Sequence, residues 1–205
     1  MSTLNDRRTR FTKGLIKDTY LTLLQDKAPS KITVANICAE ADINRSTFYV
    51  HYRDAESVFE DIENEVYEEW VGIILHMPDN QDDVQTFCNN AYGQLFRKKA
   101  FRYIFLHSQP GGVRDRITEG MGEAFSRTLM RFYKLPAALA EVKASFMIGG
   151  TMLLWQKTLR KNLDFSPEQN DYVQELMTQL FGPVSDSKDF LLCFINELKA
   201  LETQV

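Results

Sequence analysis

Cysteine, histidine and long apolar runs are scarce in this 205-residue sequence, and each scarcity excludes a class of protein. The cysteines Cys38, Cys88 and Cys193 are isolated and odd in number, which rules out a complete disulfide framework and favours a reducing compartment. The three histidines lie far apart, without cysteine or carboxylate neighbours at the spacing of metal ligands. We therefore expect no metal site.

Membrane and secretion signals are also missing. The start of the chain is polar and charged, unlike a secretory signal peptide. The longest apolar run, residues 144–155, is about a dozen residues long, whereas a helix that spans a bilayer needs about 20. We therefore expect a cytoplasmic protein that makes no membrane contact.

Motifs of enzyme chemistry are absent as well. The patterns GxGxxG, GxxxxGKS/T, GxSxG and HExxH do not occur. The pairs of acidic residues that do occur are typical of solvated helix faces. We therefore expect neither enzymatic activity nor a cofactor.

Charge is distributed unevenly along the chain, although the formal net charge is only −4. Residues 1–55 carry 9 Lys and Arg against 6 Asp and Glu, whereas the remainder carries 15 against 22. A basic segment on an acidic body is typical of a module that faces phosphate groups. Because the excess is small, it supports a nucleic-acid partner only together with other evidence.

Apolar residues recur with helical spacing along almost the whole chain, and no segment alternates as a strand does. We predict an all-α protein of about nine to ten helices, in which three short N-terminal helices are joined by a long helix to a C-terminal helical bundle. The first helix ends near Asp26, and the long helix starts at Asp54. Later helices are expected at 82–96, 99–107, 113–133, 137–162, 168–180 and 187–201, with domains at 1–55 and 56–205.

Residues 31–54 carry the most informative local pattern, and it predicts a helix-turn-helix. Thr33 and Asn44 are each placed to cap a short helix, and an isoleucine before each cap can pack against the helix that follows. Asp42 lies between them, where left-handed backbone would let the helices cross. With Phe48 facing the core, the residues left outward suit a DNA major groove: Arg45, Ser46, Thr47, Tyr49 and His51.

The same segment resembles the tetracycline-repressor (TetR) family of transcriptional regulators. The matching residues are Thr33, Ile37, Ala41, Ile43, Thr47, Phe48, Tyr49, His51, Tyr52 and Arg53. Cys38, Asp42, Asn44 and Val50 depart from the family pattern, and Val50 stands where a polar or basic residue is frequent. Residues 149–162, with Ser-Pro beyond them, are similar to a subgroup that includes regulators of dihydroxyacetone kinase operons.

The resemblance implies a role for each matching residue. Arg45, Ser46 and Thr47 would read bases, and Arg10 would touch the DNA backbone. Phosphates would be held by Thr33, Tyr49, His51, Tyr52 and Arg53, with a place in the core as the alternative for Tyr52.

Aromatic residues are abundant in the C-terminal region, where they form either a plain core or the lining of a ligand cavity. The candidate lining residues are Phe101, Tyr103, His107, Phe125 and Trp155. The helix with Gly149 and Gly150 is either interior or half of a dimer interface. The resemblance favours the interface, formed through Trp155, Leu159, Tyr172 and Leu176.

Together these features predict a DNA-binding transcriptional regulator, and we expect a repressor. It would bind a palindromic double-stranded operator as a homodimer and respond to a small-molecule effector in its C-terminal domain. Two alternatives remain open. A regulator of the same fold controlled by a protein partner would bind DNA without a small-molecule response, and a helical enzyme would turn over a metabolite without binding DNA.

Overall fold

Helices account for almost all of the structure, a computed structural model that describes residues 2–78, 94–161 and 188–203. The described α-helices are α1 (Ser2–Leu23), α2 (Val34–Glu40), α3 (Arg45–Tyr49), α4 (Ala55–Leu75), α5 (Lys99–His107), α6 (Val113–Tyr133), α7 (Ala137–Arg160) and α8 (Lys188–Glu202), with a 3-10 turn at Pro29–Lys31. No strand occurs in these ranges. The predicted all-α class is therefore confirmed. The helices expected at 82–96 and 168–180 lie wholly or mostly outside the described residues.

Helices α1 to α3 pack together and against the start of α4. Helix α1 contacts α2 and α4, and α2 contacts α3. Ile16, Tyr20 and Leu24 on or just after α1 are buried with Ile37 of α2 and Phe48 of α3. Helix α1 ends at Leu23, close to the expected end at Asp26. We call residues 2–54 the head of the molecule.

Helix α4 begins with a strong local signal and runs from the head into the rest of the protein. Asp54 caps it, because its carboxylate accepts a hydrogen bond from the Ser57 backbone nitrogen at 2.8 Å while the Asp54 backbone nitrogen donates to Ser57 Oγ at 3.2 Å. The apolar stripe of α4 that the sequence places at Phe59, Ile62, Val66, Trp70 and Ile73 is buried except at its end, where Ile74 rather than Ile73 is fully buried. Trp70 is fully buried as well. Its indole nitrogen is the one buried side-chain polar atom without a hydrogen-bond partner in the described part of the chain.

Helices α5 to α8 pack beyond the head. Helix α6 lies between α7 and α8, while α4 contacts α5, α6 and α8. The core is continuous from the head to α8, since buried residues of every α-helix belong to one apolar cluster. Helix α7 has 24 residues and is, by length and composition, the one described helix that would be able to cross a membrane. Core helices of soluble proteins pass the same test, and one face of α7 is buried in this core.

A close approach joins α4 to the start of α6. The backbone nitrogen of Val113 donates to Glu63 Oε1 at 3.4 Å. A Cβ atom at Gly112 would lie 2.6 Å from that oxygen and 2.5 Å from Ser108 Oγ, so a larger residue there would displace the Glu63 and Ser108 side chains. Burial raises the pKa of Glu63, and the hydrogen bonds from Val113 and Ser108 do not cancel this effect.

The raised pKa predicts a pH-dependent contribution of Glu63 to stability. The folded state holds the proton more tightly than the unfolded state, so the contribution is fully present below the ordinary pKa of 4.5 and is lost as pH rises through the raised value. Glu63→Gln keeps an accepting oxygen but cannot ionise. The free energy of unfolding of the Glu63→Gln variant should therefore increase relative to that of the wild type as pH rises above 4.5. Urea denaturation across pH measures this difference, and a difference independent of pH would contradict the assignment.

Candidate nucleic-acid interface

The first short helix of the head is fixed by a capping box at Thr33. Thr33 Oγ1 accepts from the Asn36 backbone nitrogen at 3.2 Å, and Asn36 Oδ1 accepts from the Thr33 nitrogen at 3.2 Å. This bears out the predicted cap. The Thr33 side chain is exposed, but its hydroxyl is already engaged, since it also lies 3.0 Å from Asn36 Oδ1 as a donor.

The turn between α2 and α3 has the expected left-handed residue. Asp42 has φ of 50°, one of two described non-glycine residues with positive φ. The Ile43 nitrogen donates to the Cys38 carbonyl at 3.1 Å, which closes the end of α2. This turn sets the direction in which α3 leaves.

Helix α3 is anchored by one side chain and presents the others outward. Phe48 is fully buried, with its ring 5.6 Å from that of Tyr49 and 6.0 Å from that of Tyr52. Tyr49 is 56% exposed. The predicted reading residues share this outward position: Arg45 and Ser46 are exposed, and Thr47 and His51 are partly exposed.

One predicted cap is only half right. Asn44 occupies the N-cap position of α3, with extended backbone at φ −74° and ψ 151°, but its side chain makes no capping hydrogen bond. The first turn of α3 therefore lacks the side-chain acceptor that we expected there. Val50, which departs from the family pattern, is 77% exposed at the other end of α3.

Tyr52 is the clearest correction within the predicted DNA-contacting set. Its side chain is buried, and its hydroxyl donates to Asp61 Oδ2 at 2.7 Å. Burial raises the pKa of Tyr52, and the hydrogen bond to Asp61 adds to the effect. Tyr52 therefore belongs to the core, the alternative left open by the sequence, and cannot hold a phosphate while it is bound to Asp61.

Asp61 of α4 also forms ion pairs with two lysines of α1. Lys17 Nζ lies 2.8 Å and Lys13 Nζ 3.4 Å from Asp61 Oδ2, and Lys17 also pairs with Glu65. Burial opposes ionisation of Asp61, but the hydrogen bonds from Lys17 and Tyr52 outweigh it and lower the pKa of this carboxyl. Both lysines thus hold α1 to α4 rather than facing outward.

Arg53 lies at the edge of the outward face, just before α4. Its Nε is 2.7 Å from Asp54 Oδ2, and its side chain is highly exposed. The hydrogen bond from Arg53 lowers the pKa of Asp54, so the carboxylate stays charged at the start of α4. An exposed pair of this kind is weak and leaves the guanidinium accessible to another anion.

The five predicted ligand-contacting residues do not meet in one place. Phe101 and Trp155 share an aromatic cluster, because the rings of both contact that of Phe96, at 5.3 and 4.8 Å. Phe125 instead packs against Phe190 and Phe194 of α8. Tyr103 and His107 are partly buried on α5, and burial lowers the pKa of His107.

A groove of about 630 Å³ lies elsewhere, between α6 and α7. None of the five predicted residues lines it. Its floor includes Met130, Ala144 and Ile148, and carboxylates stand at Glu119, Glu123 and Glu141. The sequence offered no signal for this groove, because it is formed by two helices whose mutual orientation is a tertiary property.

The predicted dimer contacts on α7 need a second correction. Trp155 and Leu159 are buried within their own chain, so they are not free to face a partner. Tyr172 and Leu176 lie outside the described residues. The opposite face of α7 instead exposes large apolar side chains: Leu139, Val142, Phe146, Leu153 and Leu154.

The exposed face of α7 had a sequence signal that we did not use. Its members follow at intervals of three, four, seven and one residues, so they fall on one side of a helix. A second, buried set interleaves with them at Ala144, Met147 and Ile148. Helix α7 is therefore apolar on both sides, and one side packs in the described core while the other is exposed.

Comparison with known proteins adds nothing to these features. No protein-family model matches the chain, and no curated protein matches it.

Proposed function

We propose that the protein is a DNA-binding transcriptional regulator of the TetR type, with α2 and α3 as its helix-turn-helix. The observation that carries the proposal is the outward face of α3, where Arg45, Ser46 and Tyr49 are exposed on a helix held by the buried Phe48. Guanidinium, hydroxyl and phenol groups can read base edges and phosphates, and a helix of this diameter fits the major groove. The capped α2 and the left-handed Asp42 support the same arrangement.

Dimerisation through α7 belongs to the proposal. The exposed apolar side chains of α7 form a contiguous patch rather than single scattered residues, and Phe146 within it is 69% exposed. Contiguous patches of this kind are typical of protein–protein interfaces. A second copy of the chain can cover this face symmetrically, so that each α7 packs against the other. Two heads would then reach half-sites about 34–36 Å apart on one face of the duplex.

Regulation would act through α4, which contacts α1 of the head as well as α5, α6 and α8. An effector that binds the protein more tightly when α4 has one orientation favours that orientation. The distance between the two heads of the dimer changes with it. The groove between α6 and α7 has enough volume for a small molecule. A protein partner in the same regulatory role stays the alternative, and a response to a metabolite panel separates the two.

The first test is selection of a duplex from a randomised library, followed by fluorescence anisotropy. Arg45→Ala is expected to weaken binding of the selected duplex by about 1–3 kcal/mol and to relax one base position, because it removes a base contact. Arg53→Ala should weaken all sequences alike and reduce the slope of log Kd against log salt by about one. Arg97→Ala, an exposed arginine outside the head, serves as the control.

Two results would count against the proposal. Failure to enrich any duplex at moderate salt would overturn the DNA-binding function itself. Wild-type affinity in both Arg45→Ala and Arg53→Ala, with a duplex in hand, would move the interface away from α3.

A further inference from the structure

Three helices meet at one polar cluster on the middle of α4. Tyr67 of α4 donates its hydroxyl to Glu202 of α8, at 2.9 Å from Oε2 and 3.1 Å from Oε1. The guanidinium carbon of Arg116, on α6, lies 3.5 Å from the centroid of the Tyr67 ring. Arg116 also donates to Asn64 Oδ1 at 3.3 Å, one turn earlier on α4.

Helix α8 holds α4 at a second point near its C-terminal end. Lys199 Nζ donates to the backbone carbonyl of Met77 at 2.8 Å. A cation at this position is also favoured by the dipole of α4. One turn of α8, residues 199–202, therefore touches α4 at both its middle and its end.

The head is attached to a different side of the same helix. Asp61 of α4 binds Tyr52, Lys13 and Lys17, as described above. Six residues separate Asp61 from Tyr67, which corresponds to about 9 Å along the helix axis and about 240° around it. The head and α8 thus contact different sides of one continuous helix, about 120° apart around its axis, and a tilt of α4 moves one relative to the other.

We propose that the last turn of α8 is a latch that fixes the angle of α4, with Tyr67 and Glu202 as its positioning residues. All three side chains of the cluster, Tyr67, Arg116 and Glu202, are partly exposed. The hydrogen bond between Tyr67 and Glu202 can therefore break without the movement of a fully buried side chain. The effect of the latch on operator binding rests on the proposed function, whereas its effect on α4 does not.

Hydrogen–deuterium exchange of the full-length protein tests the latch without DNA. Tyr67→Phe keeps the ring under Arg116 and removes only the hydroxyl. Glu202→Gln keeps an accepting oxygen but removes the charge that strengthens the hydrogen bond from Tyr67. Each variant is expected to raise exchange in α4 about 2- to 10-fold, because one hydrogen bond is lost or weakened. The double variant should exceed Tyr67→Phe by little, because without the hydroxyl there is no bond left for Glu202→Gln to weaken.

The chain offers a matched control on the same helix. Glu197 of α8 pairs with Arg131 of α6 at 2.9 Å, so Glu197→Gln breaks an α8 ion pair that does not involve α4. Exchange in α4 should stay at the wild-type level in this variant. Wild-type exchange in Tyr67→Phe and Glu202→Gln would overturn the latch. A uniform rise across all helices would do so too, because it would reflect general destabilisation.

Operator affinity gives an independent second measurement. Tyr67→Phe and Glu202→Gln should change the Kd for the selected duplex by several-fold, and Glu197→Gln should not. Faster exchange in α4 with unchanged Kd would overturn the coupling of the latch to the head. A wild-type protein that binds no duplex would instead refute the proposed function and leave the exchange data to decide on the latch.

Discussion

Replacing Phe146 and Leu153 together with glutamate should convert the proposed dimer to a monomer and abolish measurable binding to the proposed operator. Both side chains are exposed on α7, at 69% and 52%, so neither change removes a contact of the chain's own core. Each large apolar side chain contributes about 1.5–3 kcal/mol when it becomes fully buried. A dimer loses this contribution in both copies and gains carboxylates at its interface.

The loss of DNA binding follows from the loss of the second head. A single five-residue α3 reaches few bases, so one head has little sequence-specific affinity. Light scattering at micromolar concentration measures the assembly, and anisotropy measures binding. Leu75→Glu, which changes an apolar residue 41% exposed at the end of α4, is the matched control and should stay dimeric. A double variant that still scatters as a dimer would place the interface on another surface.

The neighbouring aromatics of α3 should respond in opposite ways to truncation. Phe48→Ala removes a fully buried ring from the head and is expected to cost about 3–5 kcal/mol of folding free energy. Tyr49→Ala removes a ring that is mostly outside, and its effect on stability should stay within about 0.5 kcal/mol. Its effect on DNA affinity should be the larger one.

Urea denaturation followed by circular dichroism, together with anisotropy at low temperature, separates the two effects. Phe48→Ala should lose binding in proportion to the fraction of unfolded head. Tyr49→Ala should lose binding while it stays folded. If Tyr49→Ala binds the selected duplex like the wild type, the outward face of α3 does not contact DNA. If Phe48→Ala is as stable as the wild type, Phe48 does not anchor the helix.

Local signals in the sequence predicted the helices well. Thr33 lies at the N-cap where the pattern placed it, the long helix begins at Asp54 as expected, and Asp42 has the left-handed backbone. Each of these depends on atoms within a few residues, so sequence spacing is sufficient to find it. Asn44 shows the limit, because its position is right while its hydrogen bond is absent.

Tertiary partners explain what the sequence did not predict. The position of Tyr52 depends on Asp61, nine residues later and on another helix. The orientation of α7 depends on which of two apolar faces meets α5 and α6, and periodicity alone favours neither. Trp155 and Leu159 were assigned to the dimer interface on the family resemblance, which does not determine the face either. The contact between Tyr67 and Glu202 joins residues 135 positions apart, beyond the range of any local pattern.

The unpaired indole nitrogen of Trp70 makes this residue a fluorescence reporter for α4. The chain has two tryptophans, both buried, and the ring of Trp70 lies 5.9 Å from that of Tyr67. An indole N–H without a partner emits at short wavelength, and a water molecule that reaches it shifts the emission to the red. In a Trp155→Phe variant, Trp70 would be the only tryptophan left. The wavelength of its emission maximum would then report how closely α4 packs in the core, without an attached dye.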